Sequence, residues 1–315
     1  MHEEARHKAR ALWDAACGAK FERRQKGRRI MNTFKTAFLL TALTLVLLFF
    51  GQVFGGQNGL ILALIIAVVM NFTAYFFSDK IALASAHAQP ITREESPRLY
   101  AVMERLSAKA NIPVPKLYMI PEAAPNAFAT GRNPHHASVA VTQGLMQLMD
   151  DEELEGVIAH ELSHVRNYDI LTSSIAATLA GAITFLAQIG RFGMLFGGYG
   201  GRGDDRRGGG LAALLMIIVA PIAAVLLQLG ISRSREYQAD ASGAQMVGYA
   251  DGLIRALQKL GAYNQRIPMD VSPTTASLFI VAPFSPGQML SGLFSTHPPL
   301  SERIAALKNM TITRT

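Results

Sequence analysis

Residues 150–169 read DDEELEGVIAHELSHVRNYD, and this stretch decides how the rest of the chain is read. Asp150-Asp151 is a helix-start signal, and the spacing predicts a helix over Glu152–Asn167 with Leu154, Val157, Ile158 and Val165 turned inward. His160 and His164 are four residues apart, so they lie one turn above each other on one face and can reach the same metal ion. Glu161 projects beside them, placed to take a proton from a water on that metal. The plainer reading of the same five residues is a helix surface carrying two solvated histidines. The helix is charged, yet an apolar run begins immediately after it at Ile170.

That neighbour fits the composition. Of 315 residues, 50% are hydrophobic and only 17% charged, whereas soluble domains carry about 25% charge. The shortage of charge points toward a membrane and away from a disordered or nucleic-acid-binding chain. A single cysteine, Cys17, excludes an internal disulfide and a cysteine-based zinc ribbon. The formal net charge is +7, of which residues 1–30 supply +5 from nine Lys/Arg and four Asp/Glu. Met31 reads as an alternative or true start, and residues 1–30 as an upstream or vector-derived extension. A basic arm lying on the bilayer surface is the competing reading.

Four segments have membrane length: Ala37–Phe54, Gly59–Phe77, Ile170–Ile189 and Leu211–Leu229. The first two are joined by the uncharged turn Gly55-Gly56-Gln57-Asn58. Lys and Arg are abundant before the first span and absent from that turn, which places both termini and region 78–169 in the cytoplasm. Segments three and four read as a second hairpin. Their connecting loop, Gly190–Gly210, holds four arginines, which are unfavourable outside. The open alternative is a pair that dips in without spanning, or packs on the catalytic domain. The chain therefore divides into a basic extension (1–30), an N-terminal hairpin (37–77), a first catalytic part (78–169), a second apolar hairpin (170–229) and a second catalytic part (230–315).

Within 78–169, Glu95–Ala110 has the period of a helix with one buried face, with short strand candidates at Lys116–Ile120, Asn126–Thr130 and Ser138–Thr142. The expected fold is an α-helical multi-pass membrane protein with a mostly helical, zincin-like α+β catalytic domain carrying a small sheet. A zinc site built on two histidines needs a third protein ligand and an open position. The best candidate is Glu236, in Ser232-Arg233-Ser234-Arg235-Glu236-Tyr237-Gln238-Ala239-Asp240. Asp240, four residues on, shares its helix face and could accept the second N–H of a ligating histidine. Ordinary Arg/Glu pairs at a helix start are the plainer alternative.

Together these residues resemble the HtpX family of membrane-embedded zinc metalloproteases, related to the integral-membrane CAAX prenyl proteases. The resemblance runs over about residues 31–310. It is carried by Met31-Asn32-Thr33 leading into a double span, Asn126-Ala127-Phe128-Ala129-Thr130-Gly131, the H-E-x-x-H helix, the Ser-Arg-x-Arg-Glu-x-x-Ala-Asp stretch and Phe294-Ser295-Thr296-His297-Pro298-Pro299. It implies one zinc ion per chain, held by His160, His164 and Glu236 with Asp240 behind them. It also implies a cytoplasmic active site in a bacterial plasma membrane, acting on misfolded membrane and cytoplasmic proteins in stress and quality control. Glu161 is then the general base and later the general acid. His297, isolated before two prolines, is the candidate stabiliser of the oxyanion, or else merely part of a cap on the helix Leu300–Met310. On that helix Arg303 could anchor the motif to a carboxylate. Asn126, Ala127, Phe128 and Ala129 would form an edge strand that pairs with extended substrate, or simply a core strand.

Four rival readings stand beside this one. A CAAX-processing protease would share the resemblance. An intramembrane-cleaving enzyme would need the H-E-x-x-H motif inside an apolar span, and it lies on a charged helix instead. A metal-binding transporter would show charges within its spans, and all four apolar runs lack them; an inactive metal-binding scaffold stays open.

Overall fold

The structure, a computed structural model, describes residues 2–197, 233–264, 277–281 and 298–312. The fourth apolar segment Leu211–Leu229, the loop from residue 198 onward and His297 lie outside the described residues. The described residues are mostly helical, with one small mixed sheet among them.

Helix α1 (His2–Ser85) is interrupted at Gly56, whose φ of 55° and ψ of −138° suit a residue without a Cβ. The break yields two lengths, Ile30–Val53 and Gly55–Ser85, of 24 and 31 residues, each beyond the roughly 20 needed to cross hydrocarbon. Their large apolar side chains point outward: Phe38, Phe49 and Val68 are each about 60% exposed. In water such surface costs about 25 cal/mol per Å², a cost that lipid removes. The two lengths fold back on each other at small residues, a Cβ on Gly51 falling 2.5 Å from both the Ala63 Cβ and the Gly59 carbonyl oxygen. Farther along, the Asn71 amide donates to Thr44 Oγ1 at 2.8 Å, a polar link between the two helices.

The chain after α1 is built around a four-stranded sheet: β1 (Gln89–Pro90), β2 (Lys116–Ile120), β3 (Ala127–Gly131) and β4 (Ala137–Thr142), in the order β1-β2-β4-β3. β2 and β4 run parallel, with Tyr118 opposite Ala140, while β3 returns antiparallel to β4 and occupies the sheet's edge. Helix α2 (Pro97–Ala110) turns Leu99, Val102, Met103 and Leu106 inward and ends at Asn111 in the left-handed region. Helix α3 (Gln143–Leu148) is a short link. Helix α4 (Asp151–Arg166) starts on a capping box, with the Glu153 amide donating to Asp150 Oδ1 and the Asp150 amide to Glu153 Oε2, both at 2.9 Å. Leu154, Val157, Ile158 and Leu162 of α4 join the α2 face and Val139 and Val141 of β4 in one core.

A left-handed residue, Tyr168, turns the chain from α4 into α5 (Asp169–Gly197). Ile175, Ala176, Leu179 and Ala180 of α5 pack against Leu39 and Leu43 of α1. Helices α6 (Arg233–Val247), α7 (Asp251–Asn264) and α8 (Leu300–Lys308) complete the fold. α6 meets α4 at Gly243, where a Cβ would lie 3.0 Å from the His160 amide nitrogen and 3.2 Å from its Cα.

The glycine therefore sets the separation of the two helices. Gly243→Val should force them apart, costing about 1–3 kcal/mol. That corresponds to a melting temperature several degrees lower in the detergent-solubilised protein, read by differential scanning fluorimetry.

Candidate metal centre

His160 and His164 sit on α4 with their ring planes nearly perpendicular, and their Nε2 atoms are 3.2 Å apart. Glu236, in the first turn of α6, brings Oε1 to 3.5 Å from His164 Nε2 and Oε2 to 3.7 Å from His160 Nε2. One ligand atom from each of the three residues falls within a 4.8 Å span. A tetrahedral ion bound at about 2.0–2.2 Å separates its ligands by about 3.3–3.5 Å, so the triangle is already near the required size.

The far side of each ring is held as well. His160 Nδ1 faces Asp240 Oδ1 at 2.9 Å, and His164 Nδ1 faces Asp169 Oδ2 at 3.4 Å. A carboxylate accepts hydrogen bonds and donates none, so each Nδ1 carries a proton, and Nε2 of each ring, once that ring is neutral, turns a lone pair inward. Two lone pairs aimed at one point, beside a buried carboxylate, suit a divalent cation. The donor set fits a metal ion.

Asp240 is itself fixed. Arg303, completely buried, forks onto it through Nε to Oδ2 at 2.8 Å and through a terminal nitrogen to Oδ1 at 2.7 Å. The other terminal nitrogen donates to the Ile280 carbonyl at 2.8 Å. The carboxylate expected for Arg303 from the sequence is thus Asp240, and a bidentate guanidinium fixes its orientation.

Sequence reasoning missed Asp169. It lies five residues past His164, off the helical face that periodicity would select, and only the left-handed turn at Tyr168 swings it back onto the ring. An acidic residue opening an apolar helix beside a histidine pair is the one signal that could have found it. Arg235, next to Glu236, also approaches Asp169 Oδ1, at 3.6 Å.

Burial and charge tune these groups in different directions. Burial pushes the Glu161 carboxyl up to about 7, aided by the nearby Glu236 charge; His164, Arg303 and a hydrogen bond from the Ala129 amide oppose the rise. Burial lowers the His160 pKa. Burial also acts to lower His164, but Asp169, Glu236 and Glu161 outweigh it and lift the ring to about 9. Burial acts to raise Asp240, and Arg303 and His160 hold it below the usual carboxylate range.

A cavity of about 30 Å³ connects His160, Glu161, His164 and Glu236 with Ala129 and the segment Ser277–Ile280. That is room for an ion and a water rather than a peptide. The expected edge strand is present, and its outer backbone groups are partly engaged by the chain itself. The Ile280 amide donates to the Ala127 carbonyl at 3.0 Å, the Asn126 amide group donates to the Val281 carbonyl at 2.8 Å, and Phe128 packs edge-on against Phe279. Ala129 is the position on that strand that lines the cavity. His297 lies outside the described residues.

The family model for "Peptidase family M48" matches residues 93–311. A "Protease HtpX homolog" of Desulfatibacillum aliphaticivorans is 56% identical over 88% of this chain and 89% of its own length. One of Syntrophobacter fumaroxidans is 52% identical over 89% of this chain and 99% of its own length. Among solved structures, Ste24p of S. mikatae matches with a TM-score of 0.48 and 21% identity over 90% of this chain and 66% of that one.

A metal ion must displace the proton that His164 holds below about pH 9. Divalent-ion affinity should therefore fall on acidification from pH 9, by up to about tenfold per unit for the one proton displaced. Proton release should appear in titration calorimetry as a dependence of the binding heat on the ionisation enthalpy of the buffer.

Proposed function

The chain belongs to peptidase family M48, and on that premise we propose that it is a zinc-dependent endopeptidase of the bacterial plasma membrane with its active site on the cytoplasmic face. It is a membrane protein and a metallopeptidase. The observation that carries the finer reading is the pair of Nε2 atoms 3.2 Å apart, each ring backed by a carboxylate and both facing Glu236. His160, His164 and Glu236 would hold one zinc ion, a set of two nitrogens and one oxygen that suits zinc.

Zinc, when bound, lowers the pKa of a water toward about 7 and polarises the scissile carbonyl. The Glu161 carboxyl, its pKa raised by burial and its position fixed by the Ala129 amide, is placed to take a proton from the attacking water and return it to the leaving amine. Asp240 and Asp169 keep the two imidazoles in one tautomer through the cycle. His297 is the proposed donor to the oxyanion. Extended substrate would pair along the edge Asn126–Ala129, with the Ala129 backbone nearest the metal; at Asn126 and Ala127 it would have to displace the Ile280–Val281 backbone. Backbone pairing makes little demand on side-chain identity, which suits a protease that clears misfolded membrane and cytoplasmic proteins.

The charge pattern supports the orientation, with Lys and Arg crowded before the first span and none in the turn between spans. In a Cys17→Ser background, Lys109→Cys should react with an impermeant maleimide only from the cytoplasmic side, and Gln57→Cys only from outside. Reversed labelling would invert the topology.

Glu161→Gln should keep zinc and lose casein hydrolysis by at least about 10²–10⁴-fold. Glu236→Ala should instead lose the zinc, measured by elemental analysis after purification. Cleavage by the glutamine variant at the wild-type rate would remove Glu161 from its assigned role.

A further inference from the structure

The first span is more than an anchor. Near its start, Asn32 is only 7% exposed, and its side-chain amide reaches three acceptors on the far side of the interface. It donates to Asp169 Oδ1 at 3.0 Å, to the Tyr168 carbonyl at 3.1 Å and to the Asn167 carbonyl at 3.4 Å. The two carbonyls belong to the turn that ends α4, the helix carrying both histidines. Beside it, Thr172 Oγ1 donates to the Asn32 carbonyl at 3.4 Å, and Thr36 and Thr172 share a hydrogen bond at 3.2 Å. These residues form a polar seam where the span meets α5.

We propose that Asn32 is a positioning residue for the metal site, acting through Asp169 to aim the His164 ring. A carboxylate rotates freely about its last bond unless both oxygens are engaged. Here Oδ1 is held by Asn32 and approached by Arg235, which leaves Oδ2 facing His164 Nδ1. Asp169 thereby joins three elements: α1 through Asn32, α4 through His164, and α6 through the residue preceding Glu236. The cytoplasmic end of the first span is in this way part of the site's supporting shell. The proposal rests on His164 being a zinc ligand, as argued above.

The test is zinc affinity, measured by competition between the detergent-solubilised full-length protein and a chelating dye. Asp169→Ala should weaken zinc binding by about 10–100-fold, as loss of a ligand's hydrogen-bond partner does. Asn32→Leu, of similar size but with no donor, should weaken it by about 5–10-fold. The double variant should bind no more weakly than Asp169→Ala alone, because the two act in series. Thr36→Val, which breaks only the Thr36–Thr172 bond, should bind like wild type. Should the leucine variant fail to fold, Asn32→Ala makes the same comparison. Wild-type affinity in the Asn32 variant would overturn the proposal. So would additive losses in the double variant, or an equal loss in Thr36→Val, since each would assign Asn32 to turn capping or helix packing alone. A wild-type protein that takes up no zinc would overturn the metal-site reading itself, and this inference with it.

Discussion

Two imidazole Nε2 atoms held 3.2 Å apart and aimed at one point are the constraint on which the rest of this structure depends. Below about pH 9 the proton on His164 lies between them, and a bound metal ion would take its place. The arrangement is maintained here because neither ring is free to turn. Asp240 grips one and Asp169 the other. Each of those carboxylates is gripped in turn, by Arg303 on α8 and by Asn32 on α1. Five helices, α1, α4, α5, α6 and α8, are thereby committed to one small volume.

The charges in that volume also explain where it lies. Glu161, Glu236, Asp240 and Asp169 are all nearly inaccessible to solvent, and isolated buried carboxylates are costly unless paired or placed beside a metal. Arg303, Arg235 and the protonated His164 balance them, while His160, its pKa lowered by burial, binds Asp240 through Nδ1. The same group of charges could not sit in hydrocarbon. The chain keeps its long apolar helices free of charge over the core of each span and places the charged cluster at the end of the first one. Asn32 marks the junction, since it belongs both to the first apolar helix and to the seam below the histidine pair. A protease built this way keeps its buried charges beside the end of its first apolar helix.

Much of this is legible in the sequence where the signal is local. Asp150-Asp151 announces the start of α4, and the four-residue spacing of His160 and His164 fixes their common face through helical geometry alone. The strand candidates lie within a residue of the observed β2, β3 and β4, because each is short, β-branched or aromatic, and bounded by Pro, Gly or Asn. The pairing of Glu236 with Asp240 follows from the same i, i+4 rule. Asp169 escapes such reasoning because a single left-handed residue, Tyr168, breaks the periodicity that would have located it. The engagement of the β3 edge by Ile280 escapes it too, since nothing local to Asn126–Gly131 says what will lie against it.

The amino-acid sequence by itself determines the kinds of chemistry available: a histidine pair on a charged helix, a carboxylate pair on another, and apolar helices long enough for a bilayer. It does so because helical and strand periods act over a few residues and leave a readable pattern. Only the tertiary structure decides which groups meet across long separations. It joins Arg303 to Asp240 and Asn32 to Asp169, and it sets the α4–α6 separation at Gly243. Those choices come from packing and from the need to satisfy buried polar groups, and neither has a period that can be read along a chain.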